Sequence, residues 1–245
     1  MLFSARNVST GTVQRCVRFT NLMQPMTMTF AVEEGEEMIE YTKIPNIFKR
    51  ETFGKNKMIE GSFSSPELEY LKDAKWEFTY KANGTNIRVC WDGYRVSFAG
   101  RTDKAQIPTN LLARLEELFG GESKEELFEQ TFGNKEVILF GEGIGEKIQK
   151  GGGLYGSADF VLFDVYIGGY WLDRGAVEHF AEVFGIRCVP VLLVGTLEDG
   201  VNFVKTHPMS PLKNDVAEGI VGRPLVQMFS RTGERIMVKI KCRDS

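Results

Sequence analysis

The chain has only two histidines, His179 and His207. Its four cysteines, Cys16, Cys90, Cys188 and Cys242, include no Cys-x-x-Cys pair. A structural zinc site needs such ligands at short spacings, so that class lacks its raw material. Cys90 and Cys188 lie in apolar, strand-like runs and read as core thiols, which fits a reducing compartment. No apolar run approaches the roughly 20 residues needed to cross a bilayer, so no membrane partner is expected. Gly-x-x-x-x-Gly-Lys-Ser/Thr and Gly-x-Ser-x-Gly are both missing, which leaves P-loop and esterase-type chemistry unsupported. Positive charge is not in excess either: 30 Lys and Arg stand against 33 Asp and Glu, a formal net charge of −3. A protein that grips nucleic acid by bulk charge is basic, so any such binding here must use a local patch.

What is present suffices for a sizeable core. The 245 residues are 42% apolar and include 18 Phe, which supports one large domain or one domain plus a small appendage and argues against disorder. Residues 1–37 read differently from the rest. No acidic residue occurs before Phe30, while Arg6, Arg15 and Arg18 stand among Ser and Thr, as in a mitochondrial presequence. A competing reading starts from Glu33-Glu34-Gly35-Glu36-Glu37-Met38, which purine-only codons followed by a methionine codon would encode, as in a translated ribosome-binding site. Residues 1–37 are therefore expected to be a disordered extension, and 38–245 the working domain. The first reading implies a mitochondrial location and the second a bacterial or phage-infected cytoplasm.

Along residues 38–245, Ser65-Pro66-Glu67 marks a helix start. Residues 76–81 and 87–91 predict strands, and Asp92-Gly93 predicts a hairpin turn into 94–99. Leu111, Leu112, Leu115, Leu118 and Phe119 mark one helix face closed by Gly120-Gly121, and Ser123 with Glu126 predicts a capping box for the next helix. Strands are predicted over 137–140, 160–167 and 189–194. A helix is predicted from the Asp173 cap to Gly185, and a weaker one over 197–204, interrupted by Gly200. Residues 218–229 and 235–241 predict a long hairpin around Thr232-Gly233. Mixed strands and helices with several hairpins indicate an α+β class with antiparallel sheets.

The chemistry starts at Lys81-Ala82-Asn83-Gly84-Thr85-Asn86, between two predicted strands. A lysine at a strand end, followed by a tight glycine turn, can aim its amine into a cleft. Taken alone, this reads more readily as a hairpin connection with a surface lysine, because Lys-x-x-Gly recurs by chance. Read with Gly100-Arg101-Thr102, Phe140-Gly141-Glu142-Gly143, 160–165, Glu218-Gly219-Ile220-Val221 and Lys239-Ile240-Lys241 in that order, the chain resembles the covalent nucleotidyltransferases. Within that superfamily it is most similar to ATP-dependent RNA ligases of the phage type that seal breaks in duplex RNA, from about Ile44 to Asp244. The resemblance implies a nucleotidyltransferase (ATP-grasp-like ligase) domain, with antiparallel sheets flanked by helices. It implies that Lys81 carries AMP, Arg101 contacts phosphate, Glu142 holds the ribose, and Phe163 stacks on adenine. Glu218 is then tied to metal and nucleotide, Lys239 and Lys241 close the site, and Asn83 and Asn86 belong to the nucleotide-binding turn. ATP and Mg²⁺ are the implied cofactors, RNA the partner and a monomer the implied state.

The pattern is broken twice. Asn83 stands where an aspartate is usual and cannot supply a charge, and Tyr80 stands where a glutamate commonly precedes the nucleophile. Two alternatives follow: a nucleotide- or RNA-binding module with weakened catalysis, or an adenylyltransferase acting on DNA ends. Gly141-x-Gly143-x-Gly145 resembles a dinucleotide-binding fingerprint, but Gly151-Gly152-Gly153 breaks the helix such a site requires. The run reads better as a loop beside the nucleotide. The chain ends soon after Lys241, where DNA ligases and capping enzymes usually continue into an OB-fold, so the expectation is a minimal catalytic domain. Lys104, Lys147, Lys150, Arg223, Arg231, Arg235 and Arg243 are the candidate cations for gripping substrate.

Overall fold

Strand-forming alternation and well-placed turn residues account for most of the local structure. The computed structural model describes residues 39–51, 53 and 57–244; Cys16 and the expectations for residues 1–37 lie outside them. The described residues belong to one structural unit, Met38–Ser245. Strands β1 (Phe48–Arg50) and β2 (Met58–Phe63) form a small antiparallel ribbon. Helix α1 (Pro66–Tyr70) starts where expected, with Ser65 Oγ accepting from the Leu68 amide. Next come β3 (Trp76–Tyr80), β4 (Thr85–Trp91) and β5 (Val96–Ala99). The β4–β5 turn is held by Asp92 Oδ1, which accepts from the Tyr94 and Arg95 amides at 2.8 and 2.7 Å. Helices α2 (Thr109–Phe119) and α3 (Glu122–Phe132) lead into β6 (Val137–Ile144), β7 (Asp159–Ile167) and β8 (Tyr170–Trp171). Helix α4 (Arg174–Phe184) is capped by Asp173 and ends on Gly185 at φ 62°. The chain finishes with β9 (Arg187–Cys188), β10 (Val191–Gly195), α5 (Leu197–Lys205), β11 (Gly219–Pro224) and β12 (Val238–Lys241).

Two antiparallel sheets carry the site. One runs β10-β3-β11-β12; the other runs β5-β4-β6-β7-β8, with β9 beside β7 as a short parallel addition. Helix α5 covers the first sheet, and α2 and α4 cover the second. Each sheet has its own core. Trp76, Phe78, Tyr80, Leu197, Ile220 and Ile240 fill the first, and Ile87, Leu115, Phe119, Phe128, Phe160 and Phe184 the second. The α+β class with antiparallel sheets flanked by helices is therefore observed.

Four local expectations are corrected. Residues 189–194 are not one strand: 187–188 pair with β7 and 191–195 with β3, so the chain crosses between sheets at Pro190, whose carbonyl accepts from the Tyr80 amide. The Ser123–Glu126 capping box does not form, because Gly121 at φ 88° is the cap and Ser123 lies inside the first turn. A capping box does exist on α5, between Thr196 and Asp199. Gly200 does not interrupt α5; it lets the helix approach the sheet, since a Cβ there would sit 2.6 Å from the Phe78 ring. The last hairpin is shorter than expected: regular pairing covers only β11 and β12, with a single bridge between Phe229 and Arg235 above the Gly233 turn.

Candidate active site

The sheets enclose a cavity of about 410 Å³ that opens beside the end of β3. Alternation along β3 turns Thr79 and Lys81 toward it and buries Phe78 and Tyr80 in the core behind. The Lys81 amide is anchored on the Gly219 carbonyl at 3.0 Å. Its ammonium donates to Glu218 Oε2 at 2.7 Å, and the other Glu218 oxygen takes Lys241 Nζ at 2.8 Å. This triad follows from strand register: Gly219 pairs with Lys241, so Glu218 meets the last lysine of β12. On β12, Val238 and Ile240 face the core, which turns Lys239 and Lys241 the other way. Lys239 Nζ donates to the Ile44 carbonyl at 2.7 Å. Its backbone pairs with Pro45 and Ile47, laying residues 41–46 beside the cavity as a strap.

Glu142 reaches the site from β6, where it pairs with Asn86 of β4. Its Oε1 accepts from the Gly84 amide at 2.9 Å, so the nucleophile turn and the second sheet are joined at this carboxylate. Gly84 is required by space, because a Cβ there would be driven into the Gly143 carbonyl oxygen. Gly84→Ala should therefore push the turn off β6, destabilise the fold by about 1–3 kcal/mol and impair whatever chemistry Lys81 performs. Chemical denaturation measures the first effect; wild-type stability in the variant would contradict this packing. Asn86 lines the cavity, and its buried Oδ1 has no hydrogen-bond partner among the described residues, leaving an acceptor for a bound donor.

Phe163 lines the cavity from β7, edge-on to Tyr41 at 5.0 Å between ring centroids. Behind it Asp164 is fully buried, accepting from Tyr41 Oη at 2.8 Å and paired with Arg235 at 2.8 Å. Arg235 also lies over the Trp171 ring at 3.6 Å, so it is a core cation and not the substrate-gripping one expected from sequence. Arg223 lines the cavity between Glu77 and Asp164, at 3.7 and 3.8 Å. Arg101 lines the cavity from the exposed turn after β5.

Of the residues singled out from sequence, Lys81, Asn86, Arg101, Glu142, Phe163 and Lys239 line the cavity, and Glu218 and Lys241 join them through Lys81. Asn83 does not line it; its amide nitrogen side chain reaches the Lys150 carbonyl at 3.4 Å, in the glycine-rich loop. Tyr80 also borders the cavity, but its side chain is buried in the core and its hydroxyl is engaged by Tyr155 and Ser210. Sequence reading missed the Tyr41–Ile44 strap, Thr79 and Gln149, which also line the cavity. Only the alternation along β3 could have signalled one of them, Thr79.

Electrostatics follow from this crowding. Burial pushes the Glu218 carboxyl up, but the charges of Lys81 and Lys241 and the hydrogen bonds from both outweigh it and hold the group below its ordinary value. Glu142 rises to about 7, mainly through burial, with the Lys81 charge and the Gly84 amide offsetting part of the effect. Burial first, then the neighbouring charges of Lys241, Lys81 and Lys43, pull Lys239 down to about 8. For Glu142 the folded value lies above the ordinary 4.5, so the folded protein binds the proton more tightly than the unfolded chain. Its contribution to stability is full below pH 4.5 and is lost as pH rises through about 7. Glu142→Gln should flatten that part of the stability–pH profile in thermal melts; an unchanged slope would refute the assignment.

No cluster of three or more His, Cys, Asp or Glu side chains suited to a metal occurs among the described residues. The donors that do face Lys81, Glu218 and Glu142, fit a hard divalent cation held largely by phosphate oxygens with one or two carboxylates. They do not fit a metal caged by protein alone.

Three comparisons bear on this geometry. A search of curated proteins finds no match. Among solved structures, an RNA ligase of Naegleria gruberi with pyrophosphate superposes with a TM-score of 0.60 at 22% identity, over 91% of this chain and 62% of that one. A variant of the Naegleria gruberi enzyme with ATP and manganese gives 0.57 at 21%, over 84% and 59%. A Naegleria gruberi RNA ligase described as R4a, without ligand, gives 0.54 at 25%, over 72% and 52%. The likeness shows a shared fold, and the chain spans about half to three fifths of the length of these proteins. The RNA ligase family model matches residues 74–241, from just before β3 to the end of β12. That span takes in Lys81, Glu142, Phe163, Glu218 and both β12 lysines, and the chain belongs to the RNA ligase family.

Proposed function

We propose that this protein is an ATP-dependent RNA ligase that joins 5′-phosphate and 3′-hydroxyl RNA ends through a covalent Lys81–AMP intermediate. The observation that carries the reading is the convergence at one cavity of a lysine amine, two carboxylates, an aromatic face and two further lysines, drawn from both sheets. The ATP- and pyrophosphate-bound neighbours, related in fold, support a nucleoside triphosphate as the occupant.

In the resting site Glu218 holds Lys81 as an ammonium aimed along the cavity wall. The amine must give up a proton to solvent before it attacks, once Glu218 is engaged elsewhere. The Lys81 lone pair then forms the N–P bond to the α-phosphorus as the bond to the β-phosphate oxygen breaks, releasing pyrophosphate. Lys239 and Lys241, released from Ile44 and Glu218, would stabilise the charge that develops on the phosphate. Glu218 would hold Mg²⁺, which when bound supplies further positive charge at the phosphate oxygens, and Glu142 would hold the ribose. AMP next passes from Lys81 to a 5′-phosphate oxygen, restoring the amine, and a 3′-hydroxyl displaces AMP to seal the strand. Phe163 offers an adenine its face, and the unpartnered Asn86 Oδ1 offers a bound group an acceptor.

The substrate ends would lie against exposed cations, Arg101 at the cavity and Lys104, Lys147 and Lys150 in the neighbouring sequence of the turn after β5 and the glycine-rich loop. Sealing should therefore weaken steeply with salt, as binding through phosphates does. A salt titration of sealing tests this, and a flat response would show that grip comes from elsewhere.

The decisive experiment incubates the protein with α-labelled ATP and Mg²⁺, maps the label by peptide mass spectrometry, and then offers nicked duplex RNA, nicked DNA and single-stranded RNA. Label on Lys81 and sealing of RNA support the reading. Nucleotide binding without a covalent adduct would instead make the protein a binding module, and transfer of AMP only to DNA ends would move it to a different acceptor.

A further inference from the structure

Behind the nucleophile, three hydroxyls connect segments that are far apart in the chain. Tyr80, the last residue of β3, has its ring 1% exposed and its hydroxyl 2.8 Å from that of Tyr155. Ser210 Oγ donates to the same Tyr80 hydroxyl at 2.8 Å, and itself accepts from the Leu212 and Lys213 amides at 3.1 and 3.2 Å. At the other end, Tyr155 Oη accepts from the Asn83 amide at 3.0 Å. The Lys213 ammonium lies over the Tyr155 ring at 5.5 Å, closing the cluster from the side.

The three segments are the nucleophile turn, the glycine-rich loop after β6, and the loop that runs from α5 into Glu218. Tyr80 precedes Lys81, and Asn83 follows it by two residues. The Ser210 loop is itself closed by Ser210 N to Asp215 O at 2.8 Å and Ala217 N to Pro208 O at 2.9 Å, and it delivers Glu218 directly. Both partners of the Lys81–Glu218 pair are thus held from behind by one hydroxyl cluster. Tyr155 and Ser210 lie outside the cavity lining, so they act on the site only through the turn and the loop. The nucleotide-facing side is held separately, by Gly84 N on Glu142. Without Tyr155 Oη, the Asn83 amide on the opposite side would lose its partner and the turn would be pinned from one side only.

We infer that Tyr155 is a positioning residue for Lys81. Its hydroxyl, steadied by Tyr80 and Ser210, fixes the backbone of the nucleophile turn so that the amine meets the α-phosphate in line. The inference rests on the ligase reading for its chemical consequence, and on hydrogen bonding alone for its structural one. Misplacing a reacting atom by a fraction of an ångström lowers the rate of the chemical step without weakening remote binding contacts.

The test is Tyr155→Phe in the full chain, which removes the hydroxyl and keeps the ring. Single-turnover formation of the Lys81–AMP adduct should slow by about tenfold, with the KM for ATP changed by less than about twofold. Amide exchange at Asn83, followed by NMR, should accelerate. Ser210→Ala should slow the same step by less, and the double variant should be no slower than Tyr155→Phe alone, because Ser210 acts through the tyrosines. A wild-type adduct rate in Tyr155→Phe, a loss confined to KM, additive single effects, or unchanged Asn83 exchange would each overturn the inference. If the wild-type protein forms no adduct, the ligase reading is what fails, and Asn83 exchange still decides whether the hydroxyl holds the turn.

Discussion

Lys81→Ala should abolish adduct formation with α-labelled ATP, a loss of more than about a thousandfold. The two lysines nearest the Lys81–Glu218 pair are already engaged. Lys239 Nζ is committed to the Ile44 carbonyl, and Lys241 Nζ to Glu218 on the far side of that carboxylate. The fold should survive. The Lys81 side chain is partly exposed, and Glu218 keeps Lys241 as a partner when Lys81 is gone. The large loss that follows breaking a buried pair comes from the charge left without a partner, and here Glu218 is not left so. Thermal melting should thus place the variant close to wild type, which separates lost chemistry from lost structure. A labelled adduct of undiminished yield in Lys81→Ala would mean that another residue carries the nucleotide. The remaining steps offer a second check: a pre-adenylylated RNA end bypasses the adduct, so the same variant should still seal it, at a rate limited by the other cavity residues.

The largest effect on stability is expected at Asp164→Ala. Asp164 has no solvent exposure, and its carboxylate takes Tyr41 Oη and Arg235, with Arg223 close by. Burial drives the Tyr41 hydroxyl well above its ordinary value, and the Asp164 charge adds to this, so Tyr41 stays a hydrogen-bond donor across the working pH range. Removing the carboxylate leaves Arg235 enclosed between the Trp171 and Tyr41 rings with no counter-charge. Breaking one side of a buried ion pair removes about 3–5 kcal/mol, out of a total of roughly 5–15 kcal/mol for a domain. Urea denaturation should show a much lower midpoint. Asp164→Asn, which keeps an acceptor for Tyr41 but no charge, should fall between the two. A midpoint within experimental error of wild type for Asp164→Ala would show that the ion pair is not enclosed as described. Because Asp164 adjoins Phe163 and holds Tyr41 against it, a folded remnant of the variant should also bind ATP more weakly.

How much was legible in the sequence varies from element to element. The Ser65 cap, the Asp92 turn, the Asp173 cap with Gly185 behind it, and the strands around Lys81 were all readable, because each depends on residues within a few positions of one another. The α3 cap was misread because Gly121, with its positive φ, started the helix ahead of Ser123. Pro190 was absorbed into a strand prediction because nothing local says that the residues on either side belong to different sheets. Resemblance to RNA ligases supplied the site residues, and most of them do meet at one cavity. It could not foresee that Asn83 would face the glycine-rich loop, or that Tyr80 would turn its hydroxyl toward Tyr155 and Ser210.

By itself, then, the sequence determined the class of fold, the lysine at a strand end and the glycine that must follow it, since these rest on backbone preference and side-chain period. Only the tertiary structure decided that Lys81 and Glu218, 137 residues apart, share a hydrogen bond, that residues 41–46 flank the cavity, and that Asp164 is sealed beneath Phe163. Those contacts depend on strand register and on how two sheets close against each other, which are set by the whole core at once and leave no mark on any short stretch of chain.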